Sequence, residues 1–224
     1  MMHEQSQTPW ARVRSWLGGS SEPLARLAKE ARAAVPEGDP EALLALIARS
    51  SAVGEAGILG PERGRALEDM ASEAGSEAHL QLGAGTGEGA IRLARTLAAG
   101  SGRLMVVDPS PVRCRWLEEI LRHASLSDHV ELLPYSPLDA IPSLHRQLDL
   151  ILLRHEPDLF LADLRHAERH GRVGAGARVV ADLAGLSSTE RADYLAHVRE
   201  SGLYESSARE GFEVSRSLAE IEAW

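Results

Sequence analysis

The chain has 224 residues, 44% of them hydrophobic, and a formal net charge of −9. That length accommodates one α/β domain with an elaboration, and the acidic balance disfavours a nucleic-acid partner because phosphates are repelled on average. The single cysteine, Cys114, excludes an intramolecular disulfide and a cysteine-based zinc cluster.

Residues 9–75 read as helices. The stretches SEPLARLAKEARAAV and DPEALLALIARSS have helical spacing, with Ser21 and Asp39 as N-caps and a proline near each first turn. Between them AVPEGDP is a hinge, and LGPERGRALEDMASEAG opens a third helix with Pro61 near its start. We take 1–75 as an N-terminal helical elaboration and 76–224 as the core domain. MMHEQSQTPW at the start lacks the apolar stretch of a secretion signal. No run reaches the roughly 18 apolar residues of a membrane span, so the expected location is cytoplasmic.

From residue 78 short apolar runs alternate with helix-like stretches. The runs HLQL, RLMVV, VELL, LDLILL and ARVVADL predict strands, most without the polar alternation of a half-exposed sheet. EGAIRLARTLAAG, PVRCRWLEEILRHA, LDAIPSLHRQ and FLADLRHAERHG predict the helices between them. SSTERADYLAHVRESG then forms a helix capped by Ser187 or Ser188, and LYESSARE with FEVSRSL forms an antiparallel edge hairpin. The predicted fold is a doubly wound, mostly parallel seven-stranded α/β sheet with N-terminal helices and a C-terminal antiparallel hairpin.

The first strand runs into LQLGAGTGEGAIRLA, with glycines at 83, 85, 87 and 89. Bare backbone at a strand-to-helix junction lets a ligand touch main chain beside a helix N-terminus. A dinucleotide loop needs G-x-G-x-x-G, and from Gly83 the sixth position is Glu88. GTGEGA fits a G-x-G-x-x-A variant but starts two residues late, and Glu88 would oppose a pyrophosphate. The G-x-G-x-G spacing suits S-adenosylmethionine, a cation without phosphate. Asp108 ends RLMVVD, 25 residues after Gly83; a carboxylate there can accept both ribose hydroxyl protons, or alternatively cap the next helix.

With ILGPERG, GRLMVVDPSP, SLSDHVELLPYSPLDAIPSL, LDLILLRHEPDLFLADL, GARVVADL and DYLAHVRESGLYES, these motifs give the chain a resemblance over residues 55–224. It resembles class I S-adenosylmethionine-dependent methyltransferases, and within them the catechol O-methyltransferases and the related transmembrane O-methyltransferase. The resemblance implies roles by position. Leu59 and Gly60 match a loop closing over the methionine end of the cofactor, and Gly83, Gly85 and Gly87 match the glycine loop. Asp108 matches the ribose acid, Ser136 or Pro137 the adenine contact, and His155 a histidine at the adenine edge.

The family's magnesium ligands fall on Arg154, Asp182 and Leu183, so one carboxylate remains and a cation stands beside it. Magnesium is therefore not expected, unless Glu156 or Asp158 rebuilds a site. The family's catalytic lysine falls on Pro157. His155 is the substitute base, or else an imidazole that only packs against the cofactor. Gln81 stands where the family has an acid, and Glu88 either supplies charge near the sulfonium or favours the helix dipole. The resemblance thus implies a small-molecule O-methyltransferase with a catechol- or phenol-like acceptor. The other reading is a catalytically inactive cofactor-binding homologue serving as a partner protein. Oligomeric state is not legible.

Overall fold

The computed structural model describes residues 22–50, 58–219 and 221. Ser21 lies outside them. Three helices come first: α1 (Glu22–Ala34), α2 (Pro40–Arg49) and α3 (Gly60–Glu73). Asp39 caps α2 as expected, its carboxylate accepting from the Ala42 N–H at 2.9 Å with Pro40 in the first turn. Strand–helix alternation follows: β1 (Ala78–Leu82), α4 (Glu88–Leu97), β2 (Arg103–Val107), α5 (Pro111–His123), β3 (Val130–Leu133), α6 (Pro137–Ser143) and β4 (Leu148–Leu153). The chain ends with α7 (Phe160–Arg169), β5 (Val173–Asp182), α8 (Ser188–Glu200), β6 (Tyr204–Arg209) and β7 (Phe212–Ser217).

The seven strands form one sheet in the order β3-β2-β1-β4-β5-β7-β6. β1 to β5 are parallel, while β7 runs antiparallel to both β5 and β6. The twofold pleat sends alternate side chains into two cores. Leu104, Val106, Leu150 and Leu152 join the leucines of α1–α5 on one face, and Leu80, Leu82, Met105, Val107, Ile151 and Leu153 meet α6–α8 on the other. Burial on both faces explains why the inner strands are continuous apolar runs.

β5 starts four residues before the predicted run. The pairing with β4 steps from Leu148–Val173 to Leu150–Arg178, so residues 174–177 form a bulge, with Gly176 at φ +78°. Ser187 caps α8 in a reciprocal capping box with Glu190.

Polar residues on β1 face the α1–α5 side. The His79 ring is fully buried; Nε2 donates to the Gly75 carbonyl at 2.8 Å and Nδ1 has no partner. Burial lowers its pKa below the ordinary 6.5, outweighing the opposing pull of the Gly75 carbonyl and Asp149. The neutral ring is thus the form the fold prefers. Its contribution is present above pH about 6.5 and is lost as pH falls toward the folded-state value. His79→Gln is expected to flatten the loss of urea stability between pH 7 and pH 5; an unchanged slope would assign the acid sensitivity to other groups.

Candidate cofactor and acceptor site

Strand order reverses between β1 and β4, and the crevice beyond their carboxyl ends is where α/β sheets bind ligands. β1 leads into the glycine loop and β4 into Arg154 and His155. The two connections touch: a Cβ on Gly83 would stand 2.5 Å from the Arg154 carbonyl oxygen, and Gly83 has φ +93°. Gly85, at φ +52°, has no heavy atom within 4 Å of a built Cβ, so its α-carbon faces open space. Gly87, at φ +86°, is the N-cap of α4.

Beneath the loop, Gln81 donates from Nε2 to the Gly83 carbonyl at 2.7 Å, while its buried Oε1 has no partner. Glu88 is fully buried. Its Oε2 accepts from the Leu59 N–H at 2.8 Å, and its Oε1 accepts from Arg92 Nε and Nη2 at 3.1 and 3.0 Å. Arg92 also bonds Glu68 and the Gly60 carbonyl. The structure therefore brings Leu59, Gly60 and Glu88 together, and Glu88 ties the segment before α3 to α4. Sequence reasoning missed Arg92, the strut of this loop; its only signal is the four-residue spacing from Glu88 on one helix.

Asp108, 1% exposed, sits at the end of β2. Ser110, not Asp108, caps α5, accepting from the Arg113 N–H. The Asp108 carboxylate accepts from the Ala84 and Ser110 N–H groups at 3.0 and 2.9 Å and from the Arg113 guanidinium. Ser136 caps α6 after β3, accepting from the Asp139 N–H and donating to its carboxylate. Beside it Tyr135 and Leu138 are more than half exposed.

At the carboxyl end of β5, Asp182 ends the strand and lies between two guanidinium groups. Arg63 of α3 donates to Oδ1 at 2.5 Å, and Arg154 donates to Oδ2 at 3.0 Å. The Ala184 N–H adds a third donor at 3.2 Å. Burial pulls the Arg154 guanidinium below its ordinary pKa, with Asp182 and Glu88 opposing. Arg63 also lies over the Phe212 ring, 4.5 Å from its centroid, and bonds the Glu210 carbonyl. Magnesium requires several hard oxygens in near-octahedral array. A carboxylate held by two cations, with Leu183 next to it, does not fit that ion. Among the described residues no group of three or more His, Cys, Asp or Glu side chains could hold a metal.

The His155 ring is closed from solvent: its Nε2 bonds Asp163 at 2.8 Å and the ring lies tilted on Phe160, 5.1 Å between centroids. Asp163, eight residues away on α7, carried no signal in the sequence. Pro157 begins a 3-10 turn with Glu156 before it. Asp158 in that turn lines a groove of about 510 Å³ with Arg165, Glu190, Asp193 and Tyr194.

This sheet order with an antiparallel seventh strand and a glycine loop at the reversal is the arrangement of Rossmann-like methyltransferases. An O-methyltransferase from Bacillus cereus crystallised in complex with SAH superposes with a TM-score of 0.62 at 16% identity, covering 95% of this chain and 99% of that one. No family model matches the chain. The human transmembrane O-methyltransferase is 37% identical over 130 residues, 55% of this chain and 44% of that protein. The catechol O-methyltransferase of Sus scrofa is 30% identical over 152 residues, 66% of this chain and 80% of that protein. The chain belongs to the class I S-adenosylmethionine-dependent methyltransferases, in the family of the catechol and transmembrane O-methyltransferases. It spans about half the length of the transmembrane relatives it matches. Among the described residues no helix is long and apolar enough to cross a membrane.

Proposed function

We propose that the chain is an S-adenosylmethionine-dependent O-methyltransferase acting on a small phenol- or catechol-like acceptor without the family's magnesium ion. The observation that carries the cofactor half is Gly85, whose α-carbon faces open space at the carboxyl end of β1. In this reading Gly83, Gly85 and Gly87 shape the loop against the cofactor, and Leu59 and Gly60 cover its methionine end. Glu88 holds that cover in place, Asp108 binds the ribose, and Ser136 marks the adenine rim. Bound S-adenosylmethionine supplies a methyl group already activated on a sulfonium. The chain's own task is then to orient an acceptor oxygen and exclude water, and positioning alone can contribute several kcal/mol.

The Arg63–Asp182–Arg154 bridge supports the metal-free part, because it ties up two of the family's three ligand positions, Arg154 and Asp182, in an internal ion pair. His155 is the remaining candidate base. Its bond to Asp163 orients the ring, and its closed surroundings require the 154–159 turn to move before it could meet a hydroxyl.

Calorimetry with S-adenosylhomocysteine tests the cofactor half: Gly85→Val should bind at least about tenfold more weakly than the parent, a branched side chain entering ligand volume. Equal affinity would remove the loop from the site. Methyl transfer from labelled S-adenosylmethionine to a panel of phenols and catechols should survive EDTA. Activity lost with EDTA and restored by Mg²⁺ would mean that acids such as Glu156 or Asp158 complete a metal site. Pro157 in the place of the family's lysine favours one other reading, an inactive cofactor-binding partner protein; cofactor binding with no transfer to any acceptor would select it.

A further inference from the structure

We infer that Arg113 competes with the cofactor's ribose for Asp108, and thereby sets the affinity and the ribose selectivity of the site. The inference rests on the cofactor assignment proposed above.

An ionised carboxylate offers about four lone-pair positions. In Asp108 they are all engaged. The Ser110 N–H takes one on Oδ1 at 2.9 Å and the Ala84 N–H one on Oδ2 at 3.0 Å. Arg113 Nε lies 3.0 Å from both oxygens, and its Nη2 lies 2.8 Å from Oδ1. A ribose diol brings two further O–H donors and needs acceptors for them. Four protein N–H donors and two ribose hydroxyls cannot share four positions.

The backbone donors are the fixed members. Ala84 lies within the glycine loop, and Ser110 is held by its own cap on α5, where its Oγ accepts from the Arg113 N–H at 3.3 Å. Releasing either would unwind a turn. The guanidinium is the movable member, on a flexible stem and with its side chain 13% exposed against 1% for Asp108. The diol therefore gains Asp108 by displacing the Arg113 head group while the two N–H bonds stay. Each hydroxyl bond to Asp108 is gained only against a charge-assisted pair that is already made. The apparent dissociation constant then rises by the inverse of the fraction of molecules in which Arg113 has swung away.

The decisive experiment is calorimetry of S-adenosylhomocysteine and its 2′-deoxy analogue with the parent, Arg113→Ala and Arg113→Gln, each first shown to unfold cooperatively. Removing the competitor should tighten S-adenosylhomocysteine binding about 3- to 30-fold. The deoxy analogue, with one hydroxyl donor fewer, should gain less, so the ratio of the two affinities widens. An arginine that only braces the turn would leave that ratio unchanged. Arg113→Gln keeps chain length without charge and should behave like Arg113→Ala, which preserves the test if alanine loosens α5. Binding by a variant where the parent shows none also supports the inference. Equal or weaker binding by both variants, with the ratio unmoved, overturns it and leaves the cofactor assignment standing. No binding by the parent or by either variant overturns both.

Discussion

Gly83→Ala is expected to lower the melting temperature by roughly 6–16 °C, the largest single-residue effect that the site's geometry implies. A left-handed backbone at φ +93° already disfavours any side chain, and the added Cβ would stand 2.5 Å from the Arg154 carbonyl oxygen and 3.1 Å from the His155 Cβ. These neighbours are backbone and first side-chain atoms, so they cannot step aside without separating β1 from β4 at the sheet's reversal. A strained position of this kind costs about 3–4 kcal/mol, and each kcal/mol shifts a domain of this size by about 2–4 °C. Gly85→Ala is the internal comparison. At φ +52° with nothing within 4 Å it bears only the conformational cost, about 1–2 kcal/mol. Calorimetric melts of the two variants decide the point. Equal losses would mean that the Gly83–Arg154 contact relaxes freely.

Asp182→Ala comes next in size, with an expected destabilisation of about 3 kcal/mol. The Asp182 side chain is 13% exposed and that of Arg154 only 7%, so removing the carboxylate takes a close counter-charge from a buried guanidinium and loosens Arg63 on the neighbouring helix. The cost is that of a buried charge left less compensated, rather than the worth of the pair. The double variant Asp182→Ala, Arg154→Met should accordingly recover a large part of the loss, because the buried charge is then absent. Urea midpoints for the parent, the single variant and the double variant measure this. A single variant within about 1 kcal/mol of the parent would show that the bridge is too well hydrated to matter.

The two substitutions probe different kinds of information. Gly83 was conspicuous in the sequence, as one of four glycines at alternate positions after an apolar run, and a glycine-rich strand-to-helix turn is a local signal. The partners of Asp182 were not conspicuous. Arg63 lies 119 residues before it and Arg154 28 before it, and no periodicity connects the three.

By itself the sequence determined the alternation of strands and helices and the edges of β2, β3 and β4, each coinciding with its apolar run. It also determined the proline-marked helix starts and the turn that carries the glycines. These follow from nearest-neighbour chemistry: pleat and helix periods, capping side chains, and the conformations open to glycine and proline. Tertiary structure alone decided the bulge that starts β5 at Val173, because it depends on register against β4. It alone turned the His155 ring onto Asp163, joined Glu88 to the Leu59 N–H, and set Asp182 between two arginines. Arg113 stands between the two cases. It is five residues from Asp108, yet its meeting with that carboxylate depends on how α5 leaves the end of β2. Side-chain pairing across elements is set by where the packed sheet and helices place each stem, and that placement is a property of the whole core rather than of any one segment.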